Sequence, residues 1–268
     1  MTALLEGLLT DLGAEGDQLW NAVAGLDEAG WSTPTPAAGW TVATQVAHLL
    51  WTDETATTAA HSVGDKGAWD AIVREAIADP EGFVDQSAHE VARLSPQALL
   101  ARWGSARAAL VEALRGFPVG EKLPWFGPPM SPTSMATARF METWAHSLDV
   151  HAALGIEPGV TDRIRHVAHL GVRTRDYAFG VRGLAPPAKE FRIELTAPSG
   201  EVWAWGPDGA EQRVSGPAND FCLLVTQRVH RDDTALVATG ADAEHWLRIA
   251  QCFAGPTGVG RQSSVVEP

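Results

Sequence analysis

The chain has 268 residues, 45% of them hydrophobic and 20% charged, with 20 Lys and Arg against 33 Asp and Glu for a formal net charge of −13. That length and apolar content suffice for a substantial core in one large or two modest domains. The acidic balance and the absence of a basic run exclude a phosphate-backbone partner, so no nucleic acid is expected, and no uncharged run reaches the ~18–20 residues of a membrane span.

The amino-terminal stretch lacks a positive n-region and carries Glu6 and Asp11 within its apolar run, so it reads as a helix and not as a signal peptide, and a cytoplasmic location is expected. Leu4, Leu5, Leu8, Leu9 and Leu12, then Leu19, Trp20 and Val23, recur at helical spacing and predict an amphipathic first helix that ends near Gly30. The Pro- and Gly-punctuated WSTPTPAAGW leads into a second helix, whose stripe of Val42, Val46, Leu49 and Leu50 runs to about Ala60. His48 lies beside that stripe, where it fits either a hydrogen-bonded core position or a ligand facing the interior of a bundle. Further helices are predicted around Ala68 to Ile77, Pro96 to Leu114 and Pro132 to Leu154, the last with Ser131 as N-cap, Pro132 in the first turn and Gly155 as its stop. Before it, LPWFGPPMSP is too rich in Pro and Gly to be helical, and one wall of a pocket is expected there.

The last of these helices contains RFMETWAHSLDV, in which Glu142 and His146 stand one turn apart on the same face, their Cβ atoms roughly 5–6 Å apart. With His48 as a third candidate, two imidazoles and a carboxylate give a divalent ion three protein ligands and leave a fourth position open for water or substrate. A surface pair on an amphipathic helix is the competing reading of the same spacing.

The wording around these residues discriminates. GWTVATQVAHLLWTD resembles the second helix of the DinB-like, mycothiol-dependent maleylpyruvate isomerase family, in which a Trp enters the helix and a His about eight residues later binds metal. In that family a later helix supplies a carboxylate and a His four residues on, which ETWAHSLDVHAALG matches at Glu142 and His146. The resemblance covers roughly the first 180 residues. It implies a DinB-like helical bundle with a metal site of His48, Glu142 and His146, zinc first, although nickel or iron suits the same donors. It also implies thiol-dependent transfer or isomerisation, in which mycothiol sulfur adds to a small electrophilic substrate. A thiol-independent metal-dependent hydrolase, lyase or cyclase is a second reading, and a non-catalytic protein that binds a metal or small molecule is a third.

After GLAPPAKE the pattern changes. Phe191, Ile193 and Leu195 alternate with polar residues, a Pro-Ser-Gly turn follows, and Val202 to Trp205 resume an extended run, which predicts a β-hairpin. GPANDFCLLVTQRV then reads as a buried helix, ALVATG as a short strand and ADAEHWLRIAQCF as a final helix. The fold class is therefore α+β: a helical bundle over residues 1–185, a small α+β domain over 186–254, and a tail over 255–268 with little core-forming capacity, expected to be disordered. The family's second domain associates an Arg late in an apolar helix with the active site. Arg228 occupies a comparable position and is the candidate catalytic residue, but Gln227 stands where the family usually has Gly, and a helix-end Arg explains the position equally.

Other candidates have plainer explanations. Asp53 and Asp149 read as solvated helix-face residues, with hydrogen bonds to the histidine ligands as the alternative. His151 is five residues from His146 and should point elsewhere, while His166 and His169 share a helix face without a carboxylate in register. Cys222 and Cys252 are too few for a disulfide framework, lack metal-site spacing and read as buried small hydrophobes.

Overall fold

Among its described residues, 2–258 and 260–264, this computed structural model divides into two compact units, Met1–Pro158 and Gly159–Pro268. The first unit is helical: α1 (Ala3–Val23), a short α2 (Glu28–Trp31), α3 (Val42–His61), α4 (Gly67–Ala78), α5 (Phe83–Val91), α6 (Pro96–Arg115) and α7 (Pro132–Leu154). Hydroxyl caps set where the long ones begin. Thr41 Oγ1 accepts from Thr44 N at 3.3 Å at the start of α3, and Ser131 Oγ accepts from Ser134 N at 3.1 Å at the start of α7, each satisfying a backbone donor that the first turn leaves free. Pro132 follows directly, and Gly155, left-handed at φ 65°, ends α7.

Helix α3 packs against α5, α6 and α7, while α7 also packs against α1. Leu19, Val23, Val42, Val46, Leu49, Leu50, Leu99, Trp103 and Val150 form one buried cluster across these helices, each large side chain contributing on the order of 1.5–3 kcal/mol by leaving water. Central placement buries α3 nearly all round, including Thr44, Gln45, His48, Thr52 and Asp53. Buried polar groups must find partners or cost stability, so this run of them marks a site and not merely a core.

The second unit opens with a 3₁₀ turn, Asp162–Ile164, then α8 (Arg165–Arg173) and α9 (Arg175–Gly180). Strands β1 (Phe191–Thr196), β2 (Val202–Trp205) and β3 (Gln212–Pro217) lead to α10 (Ala218–Val225), β4 (Val237–Thr239) and α11 (Ala241–Ile249). The sheet order is β2-β1-β3-β4, with β1 antiparallel to β2 and parallel to β3, and β4 antiparallel to β3. The predicted hairpin, buried helix, short strand and final helix are all present. The change of composition after GLAPPAKE coincides with the approach to β1; α8 and α9 precede it yet pack against α10 and α11 respectively, within the same unit.

Elements α5 and β3 have no counterpart in the sequence reading, and the first helix, expected to end near Gly30, stops at Val23 with the separate short α2 after it. Strand β3 is hidden because its first inward residue is Gln212, buried at 8% exposure, and its last two are Gly216 and Pro217. Gln212 Oε1 accepts from Ala243 N at 3.0 Å, so a polar side chain faces inward to satisfy the start of α11. Of the tail, residues 259 and 265–268 lie outside the described residues; Ser264 N donates to Asp233 Oδ2 at 2.8 Å. No helix among the described residues is long and apolar enough to cross a membrane.

Candidate metal centre

The cap-defined registers of α3 and α7 bring three side chains together. Glu142 Oε2 lies 3.1 Å from His146 Nε2 and 3.4 Å from His48 Nε2, and one donor atom from each of the three lies within 4.8 Å of the others. Two donors each about 2.0–2.1 Å from a tetrahedral zinc are about 3.3–3.4 Å apart, so both separations from Glu142 match one ion. Among the described residues this is the group of three His, Cys, Asp or Glu side chains close enough to share one. The side chains are 9% (His48), 14% (His146) and 25% (Glu142) exposed, so the cluster opens to solvent on the Glu142 side.

Burial alone would raise the Glu142 carboxyl, but hydrogen bonds from His146 and His48 and their charge hold it well below the usual range. It is therefore an anionic donor at neutral pH. Gln45 fixes the neighbouring ring: its Nε2 donates to Thr35 Oγ1 at 2.9 Å, so its Oε1 is turned to accept from His146 Nδ1 at 2.5 Å. With Nδ1 keeping its proton on Gln45, an ion would replace the Nε2 proton that otherwise meets Glu142, the usual work of an outer hydrogen bond on a histidine ligand. His48 Nδ1 is buried without a hydrogen bond among the described residues. The His48 ring is held instead by packing, with Trp40 at 5.4 Å and Trp51 at 6.2 Å between centroids.

Trp40 covers both imidazoles, stacking on His146 at 5.7 Å and 19°. A series of rings then runs outward from His48: Trp51 meets Phe83 at 5.2 Å, Phe83 meets Phe126 at 5.9 Å, and Phe126 meets Trp69 and Trp125. The Pro- and Gly-rich segment before α7 is closed by a bridge between Leu123 and Met130 and joins this aromatic wall through Trp125 and Phe126.

The remaining candidates separate. Asp53 is not solvated: it is buried, with Arg139 Nε donating to its Oδ1 at 2.9 Å, so the pair joins α3 to α7 beside the cluster. Burial pushes the Asp53 carboxyl up and Arg139 counters part of that shift. Asp149 is likewise buried. His151 Nδ1 donates to Ser147 O at 2.7 Å and turns away from the cluster, as its spacing predicts. His169 Nδ1 accepts from Trp205 Nε1 at 3.3 Å in the second unit. Arg228 follows α10 and donates to Thr226 O at 2.6 Å, and the preceding Gln227 has φ 59°. Both cysteines are buried, and burial pushes the Cys222 thiol well up. Gln45 and Arg139 are the site residues the sequence reading missed; a Gln three residues before His48 on a helix buried nearly all round was the available signal for the first.

A helical bundle that presents two imidazoles and a carboxylate from facing helices, followed by a small α+β unit, is a DinB-like metal-site architecture. The chain belongs to the mycothiol maleylpyruvate isomerase N-terminal domain family, whose model matches residues 12–151. A model described as wyosine base formation matches residues 187–239 of the second unit. Uncharacterized proteins from two strains of Mycobacterium tuberculosis are each 54% identical over 253 residues, covering 94% of this chain and 97% of theirs. Two crystal structures share the fold: a mycothiol-dependent maleylpyruvate isomerase (17% identity, TM-score 0.59) and its histidine-to-alanine mutant (16%, 0.60), each covering 89% of this chain and 95% of the other.

Proposed function

We propose that this chain is a cytoplasmic metal-dependent enzyme that uses the thiol of mycothiol on a small electrophilic substrate, as a transferase or isomerase, with zinc as the first-choice ion at His48, Glu142 and His146. The observation that carries this reading is the donor spacing where α3 meets α7, in a chain whose family and solved structural relatives bear the name of a mycothiol-dependent isomerase. When bound, the ion supplies Lewis acidity that lowers the pKa of a thiol or water at its open position.

The chain's own residues prepare that position. Glu142 stays ionised, Gln45 keeps a proton on His146 Nδ1, and Trp40 shields both imidazoles from water. Both cysteines are buried and burial pushes the Cys222 thiol well up, which supports a reacting sulfur that arrives with a cofactor. Arg228 is assigned to the substrate as a cationic partner, and Arg228→Ala is expected to lower turnover while metal content stays at the parent level.

The test is turnover of a panel of α,β-unsaturated electrophiles by metal-loaded protein with and without mycothiol. Saturable dependence on the thiol, abolished in Glu142→Ala, is the expected result. Turnover without thiol would assign the chain to hydrolysis, elimination or cyclisation, and affinity without product would make it a binding protein.

A further inference from the structure

The second unit contains a cavity of about 200 Å³ whose wall includes Arg182, Arg231, Arg248 and Arg261, together with His230 and Gln227. Among the described residues no Asp or Glu lines it. The chain as a whole carries a net charge of −13 and only 20 Lys and Arg, so four arginines around one small cavity gather a fifth of its cations, with Glu244 and Asp232 nearby to offset two of them.

Carboxylates outside the wall hold two of these side chains in place. Arg231 Nη2 meets Glu244 Oε2 at 3.2 Å and its Nη1 meets Thr234 Oγ1 at 3.1 Å, while Arg248 reaches Glu244 at 3.1 Å and Asp232 at 3.8 Å. Arg231 Nε nevertheless remains buried with no hydrogen bond among the described residues. Arg182 is held by a backbone carbonyl, its Nη1 donating to Ala178 O at 3.1 Å, and desolvation lowers its pKa. A guanidinium desolvated beside a carbonyl but no carboxylate keeps most of its charge and donors for a ligand. Gln227, in the same wall, has φ 59° because it ends α10, with Gln227 N donating to Leu224 O at 2.9 Å and Arg228 N to Leu223 O at 2.8 Å.

We propose that this cavity binds a small oxyanion, the phosphate or carboxylate group of a small molecule, between Arg182, Arg231 and Arg248. Forked N–H donors match the paired oxygens of either group. The volume admits inorganic phosphate or a short dicarboxylate but falls below the about 300–1,000 Å³ of sites for larger ligands. None of its residues is among the three that would hold the ion.

The experiment titrates sodium phosphate and, separately, sodium succinate into the full chain by calorimetry, at ionic strength held constant with sodium chloride, and follows melting temperature in parallel. The parent is expected to saturate with at least one probe, and the probe that saturates identifies the source of the oxyanion. Arg182→Gln should weaken binding at least tenfold with an unchanged melting temperature in chloride, and Glu142→Ala should bind as the parent does, which separates this site from the metal centre. If Arg182→Gln does not fold, Arg248→Gln replaces it with the same expectation. Saturation by neither probe, parent-like binding by the arginine variant, or loss of binding in Glu142→Ala would overturn the proposal.

Discussion

Gln45 decides which nitrogen of His146 faces an ion, because its own amide is oriented by Thr35. Replacing it with Leu leaves three potential ligands but frees the His146 ring to turn or change tautomer. We expect metal affinity to fall about 10–100-fold in chelator competition, with the helical circular dichroism spectrum unchanged. Gln227 is a second residue whose local conformation has a measurable consequence. At φ 59° its Cβ crowds the following carbonyl, a cost of roughly 1–2 kcal/mol that glycine avoids, offset in part by the greater freedom glycine has when unfolded. Gln227→Gly is therefore expected to raise stability by up to about 1 kcal/mol, read as a higher urea midpoint at constant slope.

At the scale of elements, the metal-ligand geometry depends on α3 and α7 keeping their register. The Asp53–Arg139 pair, 4% and 2% exposed, lies between them and is costly to break from one side only. Arg139→Met leaves a carboxyl buried without its cation and is expected to destabilise by about 3–5 kcal/mol in urea unfolding, with Asp53→Leu added in the double variant recovering most of the loss. The sequence made these two helices legible through the stripe of Val42, Val46, Leu49 and Leu50 and through Ser131, Pro132 and Gly155, all local features, while the Thr41 cap of α3 went unread. The cluster of His48, Glu142 and His146 was legible because i, i+4 spacing and a matching upstream segment are also linear features. Gln45, Arg139 and β3 were not, since each is explained by a partner distant in the chain: His146, Asp53, and the start of α11 with β1. Of the aromatic wall only the segment before α7 was foreseen, because its rings come from four separate stretches.

For the whole molecule, Asp53 and Glu142 bind protons with opposite consequences. The Glu142 carboxyl is depressed, so it contributes stability above its ordinary value of 4.5 that is lost as pH falls toward the folded value. The Asp53 carboxyl is raised from its ordinary 3.8, so its contribution is present below that value and is lost as pH rises through the folded value. In metal-free protein, Glu142→Gln should flatten the loss of stability below about pH 4.5, measured by urea unfolding across pH, while Asp53→Asn should steepen it. The change in composition after GLAPPAKE marks the approach to the sheet, while α8 and α9, read as part of a helical stretch, pack against the later helices α10 and α11.

Metal content tests the central claim most directly. Protein purified without a His tag, reconstituted with zinc, nickel or ferrous iron and passed through a desalting column, is analysed by elemental mass spectrometry beside His48→Ala and Glu142→Ala. The account predicts close to one equivalent of a transition metal in the parent and loss of most of it in both variants. No retained metal in the parent, or parent-level metal in either variant, would contradict a site built from His48, Glu142 and His146.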